Sequence, residues 1–155
     1  MTTATARTAS IDADSLQREA AASLAEALAQ AAVLHLAGER ERHRGLLAHA
    51  IERAERVIEA GGDARVVASA RKVLVQAHAA RARDACHGAN QLSMGSQRAP
   101  TRAACDDGWE RVESIVAVAE ASAREVQRLA TLLDTGAARK ALRMAEAAAR
   151  DARRI

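Results

Sequence analysis

The chain has 155 residues and a formal net charge of +3, a length that suits one domain rather than two. Hydrophobic residues make up 49%, yet 42 of them are Ala, only 28 are Leu, Val or Ile, and Trp109 is the sole aromatic. This balance excludes strand-rich folds, which draw on β-branched and aromatic residues and on frequent Gly and Pro turns. It also excludes apolar membrane spans and base stacking on single-stranded nucleic acid.

Residues 1–11 are rich in Thr and Ala, with a single Arg and no apolar stretch. They are expected to form a flexible leader, not a Sec-type signal, ahead of a single helical domain over 12–155. A cytoplasmic protein is the default expectation, although a small polar leader also suits specialised secretion. Asp12 or Asp14 can cap the first helix. Leu16, Ala20, Leu24, Leu28, Ala32 and Leu36 then recur every four residues as one apolar stripe. Gly38 and Gly45 bracket a polar run and suggest a turn or break, the alternative being a continuous helix with two weak points.

A second helix is expected from about Leu46 to Ala60. Leu47, Ala50, Ile51, Ala54, Val57 and Ile58 lie on one face, with Glu and Arg opposite. Gly61-Gly62 suits a left-handed cap and Asp63 the next helix start. Val66, Val67, Ala70, Val73, Leu74 and Ala77 form the following stripe, after which large aliphatics stop. Residues 88–101 hold Gly88, Asn90, Gly95, Ser96 and Pro100 without apolar periodicity, and are expected to be a long loop.

Thr101, or Asp106 and Asp107, opens a fourth segment. Trp109, Val112, Ile115, Val116, Ala119, Val126, Leu129 and Leu133 give it the cleanest amphipathic pattern in the chain. Asp134-Thr135-Gly136 breaks it. The last helix turns Ala138, Ala141, Leu142, Ala145, Ala149 and Ala152 inward. The expected fold is all-α, an antiparallel bundle of four to five helices. Ala at packing positions brings helix axes close but buries little area. Part of the apolar surface is therefore expected to be completed by another protein or a second copy. Leu24, Leu28, Leu36, Trp109, Val126 and Leu133 are the candidate contacts.

Arg outnumbers Lys 21 to 2. The basic charge gathers at the C-terminal end, where Arg139, Arg143, Arg150 and Arg154 face outward. This row suits a nucleic acid or an acidic membrane, or simply a solvated helix end. Cys86 and Cys105 flank the expected loop. A bridge between them would stabilise by roughly 3 kcal/mol, the alternative being two ordinary thiols in a reducing compartment. Cys86, His87, Cys105 and His78 are the only grouping that approaches a metal set. CxxC, HxxxH and Glu-x-x-His patterns are all absent, so neither a metal nor another cofactor is expected. No phosphate loop or nucleophile motif occurs. The expected function is a non-catalytic interaction module: an adaptor, chaperone or regulatory subunit.

Leu34, Gly38, Gly45 and Ala50, leading through Val57-Ile58-Glu59, make residues 31–64 resemble a tetratricopeptide repeat, a two-helix unit of 34 residues. Leu129, Leu132, Gly136 and Ala141-Leu142 make residues 125–155 resemble a second such hairpin. Glu41 stands where that family carries an aromatic, and Gly62 where it carries Pro. The resemblance implies a helical hairpin array, with Gly45 at an inter-helix turn and a concave surface for a peptide or protein. Separately, Arg44 with His49, and Arg81 with His87, resemble the Arg-x4–6-His pattern of the HEPN ribonucleases. There, His would serve as acid or base and Arg would stabilise phosphate charge.

Overall fold

The computed structural model describes residues 3–31 and 37–155, with side-chain environments for 12–31 and 38–155. Among the described residues there are five α-helices and no strand, an all-α bundle: α1 (Thr3–Gln30), α2 (Ala37–Ala60), α3 (Ala64–Gln97), α4 (Arg102–Leu133) and α5 (Gly136–Ala152). No described helix is long and apolar enough to cross a membrane. The chain divides into two compact units, Met1–Ala77 and His78–Ile155. The helix α3 contributes to both. Where residues 1–11 were expected as a leader, the backbone of α1 is already helical from Thr3.

In the first unit α1 and α2 run antiparallel. Arg42 pairs with Glu26 at 2.6 Å and Arg53 with Glu19 at 3.3 Å, so positions rise along one helix as they fall along the other. The buried line of α1 is Ala13, Ala20, Leu24 and Ala27, not the four-residue stripe. A strict repeat of four turns about 40° further round the helix at each step, whereas mixed steps of three and four stay on one face. Leu28 therefore points outward and is 46% exposed. The buried residues of α2 are Leu47, Ala50, Ile51, Ala54 and Val57, and this part of α3 buries Ala70, Val73, Leu74, Val75 and Ala77.

Gly38 and Gly45 lie inside an unbroken α2, so no turn falls at either and residues 31–64 do not fold as a hairpin about Gly45. What α2 offers α1 there is His43, which is 3% exposed. Its Nδ1–H donates to the carbonyl oxygen of Ala27 at 2.9 Å. Ala27 lies in the last turn of α1, so this bond ties the end of one helix to the flank of the next. Gly61, at φ +63°, ends α2 in the left-handed region that a side chain would oppose. The Asp63 carboxylate then accepts from the amide of Arg65 at the start of α3.

The second unit runs up, down and up. Gly108 of α4 faces Ser96 of α3, Ala85 and Ala119 share one core cluster with Ala152, and Arg153 of α5 pairs with Glu120 of α4. Thus α4 is antiparallel to both α3 and α5, and those two are parallel. Thr101 and Thr135 cap α4 and α5, their hydroxyls accepting from the amides of Ala104 and Ala138 at 3.2 and 3.1 Å. Between α4 and α5 the chain turns at Asp134, whose φ of 38° is left-handed. Inner positions step by three, four or their sum on these helices: Ala82, Ala85, Ala89, Ser93 and Ser96 on α3; Val112, Ala119, Ser122, Val126 and Leu129 on α4; Ala138, Ala141, Ala145, Ala148 and Ala152 on α5. This is coiled-coil spacing with small residues at most of the seams.

The expected loop over 88–101 is thereby corrected, because α3 continues to Gln97. Its inner face merely changes from aliphatic to small residues. The hydroxyls of Ser93 and Ser96 bond back to the carbonyls of Asn90 and Leu92, at 2.8 and 2.9 Å, which hides them within the helix.

Candidate functional site

The residues singled out for partner contact are dispersed. Leu24 and Val126 are buried in the cores of their own units and offer no surface. Trp109 and Leu133 are half-buried, and Leu28 is exposed. Leu36 lies outside the described residues, as do Ala32, Leu34 and His35. Besides Leu28, the exposed large hydrophobics among the described residues are Met94 and Leu132, in the first half of the chain's long α3–α4 hairpin and near its far end respectively. They stand singly and form no stripe.

Cys86 and Cys105 are free thiols, not a disulfide. The extension of α3 explains why. With Ala85 level with Ala119 and Ser96 level with Gly108, Cys86 sits about 20 Å along the hairpin from Cys105, far beyond bridging distance. Among the described residues no group of three His, Cys, Asp or Glu could hold a metal ion. Arg44 and His49 share α2, and Arg81 and His87 share α3, turned from each other by roughly 120–140°. Arg81 lines one cavity and His87 another, so this pair does not converge on a phosphate.

Three of the four arginines share one face of α5. Arg139, Arg143 and Arg150 fall within a stripe of roughly 40° along the helix, Arg154 lies in the turn past its end, and all four are exposed. Arg139 pairs with Asp134 at 3.3 Å. Among the described residues Arg143, Arg150 and Arg154 make no ion pair, and Glu146 interrupts the stripe with one negative charge.

The site that sequence reading missed lies between α3 and α5. A groove of about 670 Å³ is bordered by Arg83, Cys86, His87 and Asn90 of α3, and by Met144, Ala147, Ala148, Asp151 and Ile155 at the other side. Both sets step by three and four residues, so each border is one helix face, with Ile155 just past the end of α5. From Met144 to Asp151 the α5 lining spans about 10 Å. The floor is Ala, Met and the Cys86 side chain. The rims carry a guanidinium, an imidazole, an amide and a carboxylate. Burial, followed by the nearby Asp151 carboxylate, pushes the Cys86 thiol above its ordinary value. That is the reverse of what a nucleophilic thiolate requires, so the geometry suits shape-based binding better than thiol chemistry. The available sequence signal was the Arg83–Asn90 and Met144–Asp151 spacings, but parallel neighbours with an intervening helix cannot be paired without the fold.

Comparison with protein families, with curated proteins and with solved structures finds no match to the chain.

Proposed function

We propose that the protein is a non-catalytic helical interaction module. Its second unit would receive one helix, from another protein or a second copy of this chain, along the α3–α5 groove. The observation that carries this reading is the groove itself: two parallel helix faces around a floor of small and sulphur-bearing side chains. A fourth helix in a bundle occupies such a slot, and helix-in-groove recognition uses anchors at the same three- and four-residue steps. Alanine at 147 and 148 leaves room for a partner's aliphatic side chains. Arg83, His87 and Asp151 at the rims would set orientation more than strength.

The test uses Ala147→Glu, which places a charge in the groove, with Glu113→Gln as a remote exposed control. Sedimentation at micromolar concentration reports self-association, and cross-linking in the native host followed by mass spectrometry reports a heterologous partner. The reading expects one specific association that Glu113→Gln keeps and Ala147→Glu loses. An association indifferent to Ala147→Glu would overturn it, as would a monomer without any specific cross-link.

A second reading rests on the arginines of α5 and the turn after it, where Arg143, Arg150 and Arg154 are unpaired among the described residues. A polyanion binder would lose affinity steeply with salt, and Arg143→Ala with Arg150→Ala would lower the log–log salt slope by about 2. Binding with an unchanged slope would remove this reading.

A further inference from the structure

His78, at the start of the second unit, has no structural role that its surroundings explain. It is 8% exposed, and neither ring nitrogen has a hydrogen-bond partner. A neutral imidazole carries one donor and one acceptor, and leaving both unmet in a buried position is costly. His43 in the first unit is the contrast, buried to a similar degree but spending its Nδ1–H on Ala27.

His78 lines a separate cavity of about 290 Å³, together with Arg81 of α3 and Ala117, Val118, Ala121 and Ser122 of α4. The α3 side of the cavity is polar, and the α4 side is apolar except for Ser122. The imidazole, the Arg81 guanidinium and the Ser122 hydroxyl supply hydrogen-bond donors. Ala117, Val118 and Ala121 supply an aliphatic wall. Two further charges lie close enough to influence the ring, Glu125 and Arg128, but they neutralise each other in a bidentate contact within α4. The unneutralised charge at the cavity is therefore that of Arg81, a single positive.

We propose that this cavity is a binding site for a short-chain monocarboxylate, its head group on His78, Arg81 and Ser122 and its alkyl tail against Ala117, Val118 and Ala121. One positive charge balances a monoanion and leaves a phosphate dianion under-compensated. A planar carboxylate accepts up to four hydrogen bonds, matching a guanidinium fork plus two single donors. Burial is the main cause that pushes His78 down to about 4, so at neutral pH the ring is uncharged and acts as a hydrogen-bonding group. This site is independent of the α3–α5 groove, and its failure would leave the helix-docking reading untouched.

The experiment is a titration of the folded chain with propionate at pH 7 and fixed ionic strength, followed by the ring resonances of His78 and by calorimetry. Propionamide, methylphosphonate and the variants His78→Gln, Arg81→Gln and Arg139→Gln complete the set, with circular dichroism to establish that each variant is folded. The proposal expects a saturable shift of the His78 ring with propionate and none with propionamide. Arg81→Gln weakens binding at least fivefold, and Arg139→Gln, a remote surface charge, leaves it unchanged. His78→Gln weakens it by a similar or greater factor. Four results would overturn the proposal: no saturable shift up to 50-fold molar excess; equal weakening by Arg81→Gln and Arg139→Gln; propionamide binding as well as propionate; or methylphosphonate binding more tightly than propionate. Arg81 is an exposed residue, so its variant keeps the test decisive if His78→Gln does not fold.

Discussion

Replacing Gly108 by Ala tests whether the α3–α4 seam depends on a missing side chain. A Cβ at Gly108 would lie 2.9 Å from the Cβ of Ser96 and 3.5 Å from its Cα, and closer still to its Oγ. The hydroxyl can rotate away only by giving up its bond to the Leu92 carbonyl. The Cβ–Cβ approach remains even then, so the two helices must part. Overpacking of this kind costs about 1–3 kcal/mol. Against it stands the gain of about 1 kcal/mol from replacing Gly by Ala within a helix. The net expectation is a loss of about 0–2 kcal/mol. Gly45→Ala in α2 isolates the helical gain, because a Cβ there meets nothing within 4 Å. It should stabilise by up to about 1 kcal/mol. The decisive quantity is the difference between the two variants, about 1–3 kcal/mol, or a few degrees in Tm for a chain of this size. Urea unfolding followed by far-ultraviolet circular dichroism measures it. Adding Ser96→Gly to Gly108→Ala should recover the steric part. If Gly108→Ala stabilises as much as Gly45→Ala, the seam is not closed by absent atoms and the argument fails.

Three further outcomes follow from single side chains. His43→Phe keeps the bulk of the ring but removes its hydrogen bond to the Ala27 carbonyl, and should cost about 1 kcal/mol in the same unfolding assay; a neutral result would mean that the bond contributes nothing net. His78 is held down at about 4 by burial, with Arg81 and Arg128 adding to the effect and Glu125 opposing it. Its folded value lies below its unfolded one, so the unfolded chain takes up the proton first as pH falls. Stability should then drop by about 3 kcal/mol between roughly pH 6.5 and pH 4. His78→Gln should flatten that window, and an unaltered pH profile in the variant would place the acid sensitivity elsewhere. Thiol titration without reductant should find two reactive groups per chain in denaturant. In the native chain Cys86 should alkylate slowly at neutral pH, because its proton is held more tightly than that of an ordinary thiol. Rapid neutral-pH labelling of Cys86, identified by peptide mapping, would contradict this.

Helix content was legible in the residues alone, because it rests on local physics. Ala, Leu, Arg and Glu dominate and aromatic and β-branched residues are scarce. Gly61 and Thr101 stand where a cap is needed, and Asp134, Thr135 and Gly136 where the chain turns. Each of these acts within a few residues of itself. Apolar periodicity misled wherever the inner face is built from small side chains. Ala89, Ser93 and Ser96 carry the seam of α3 through 88–97, yet they look like loop residues, since serine hydroxyls hide by bonding back to their own helix. Gly38 and Gly45 look like a break for the same reason: composition reports a propensity of about 1 kcal/mol each, while the packing of α2 on α1, fixed partly by His43, outweighs it. Which face of a helix is buried, which thiols lie level, and which two helices border a groove depend on pairings between residues tens of positions apart. The α3–α5 groove and the unpartnered imidazole of His78 belong to that second kind of fact. They are created where chains of small residues bring three helices close, and no short-range pattern encodes them.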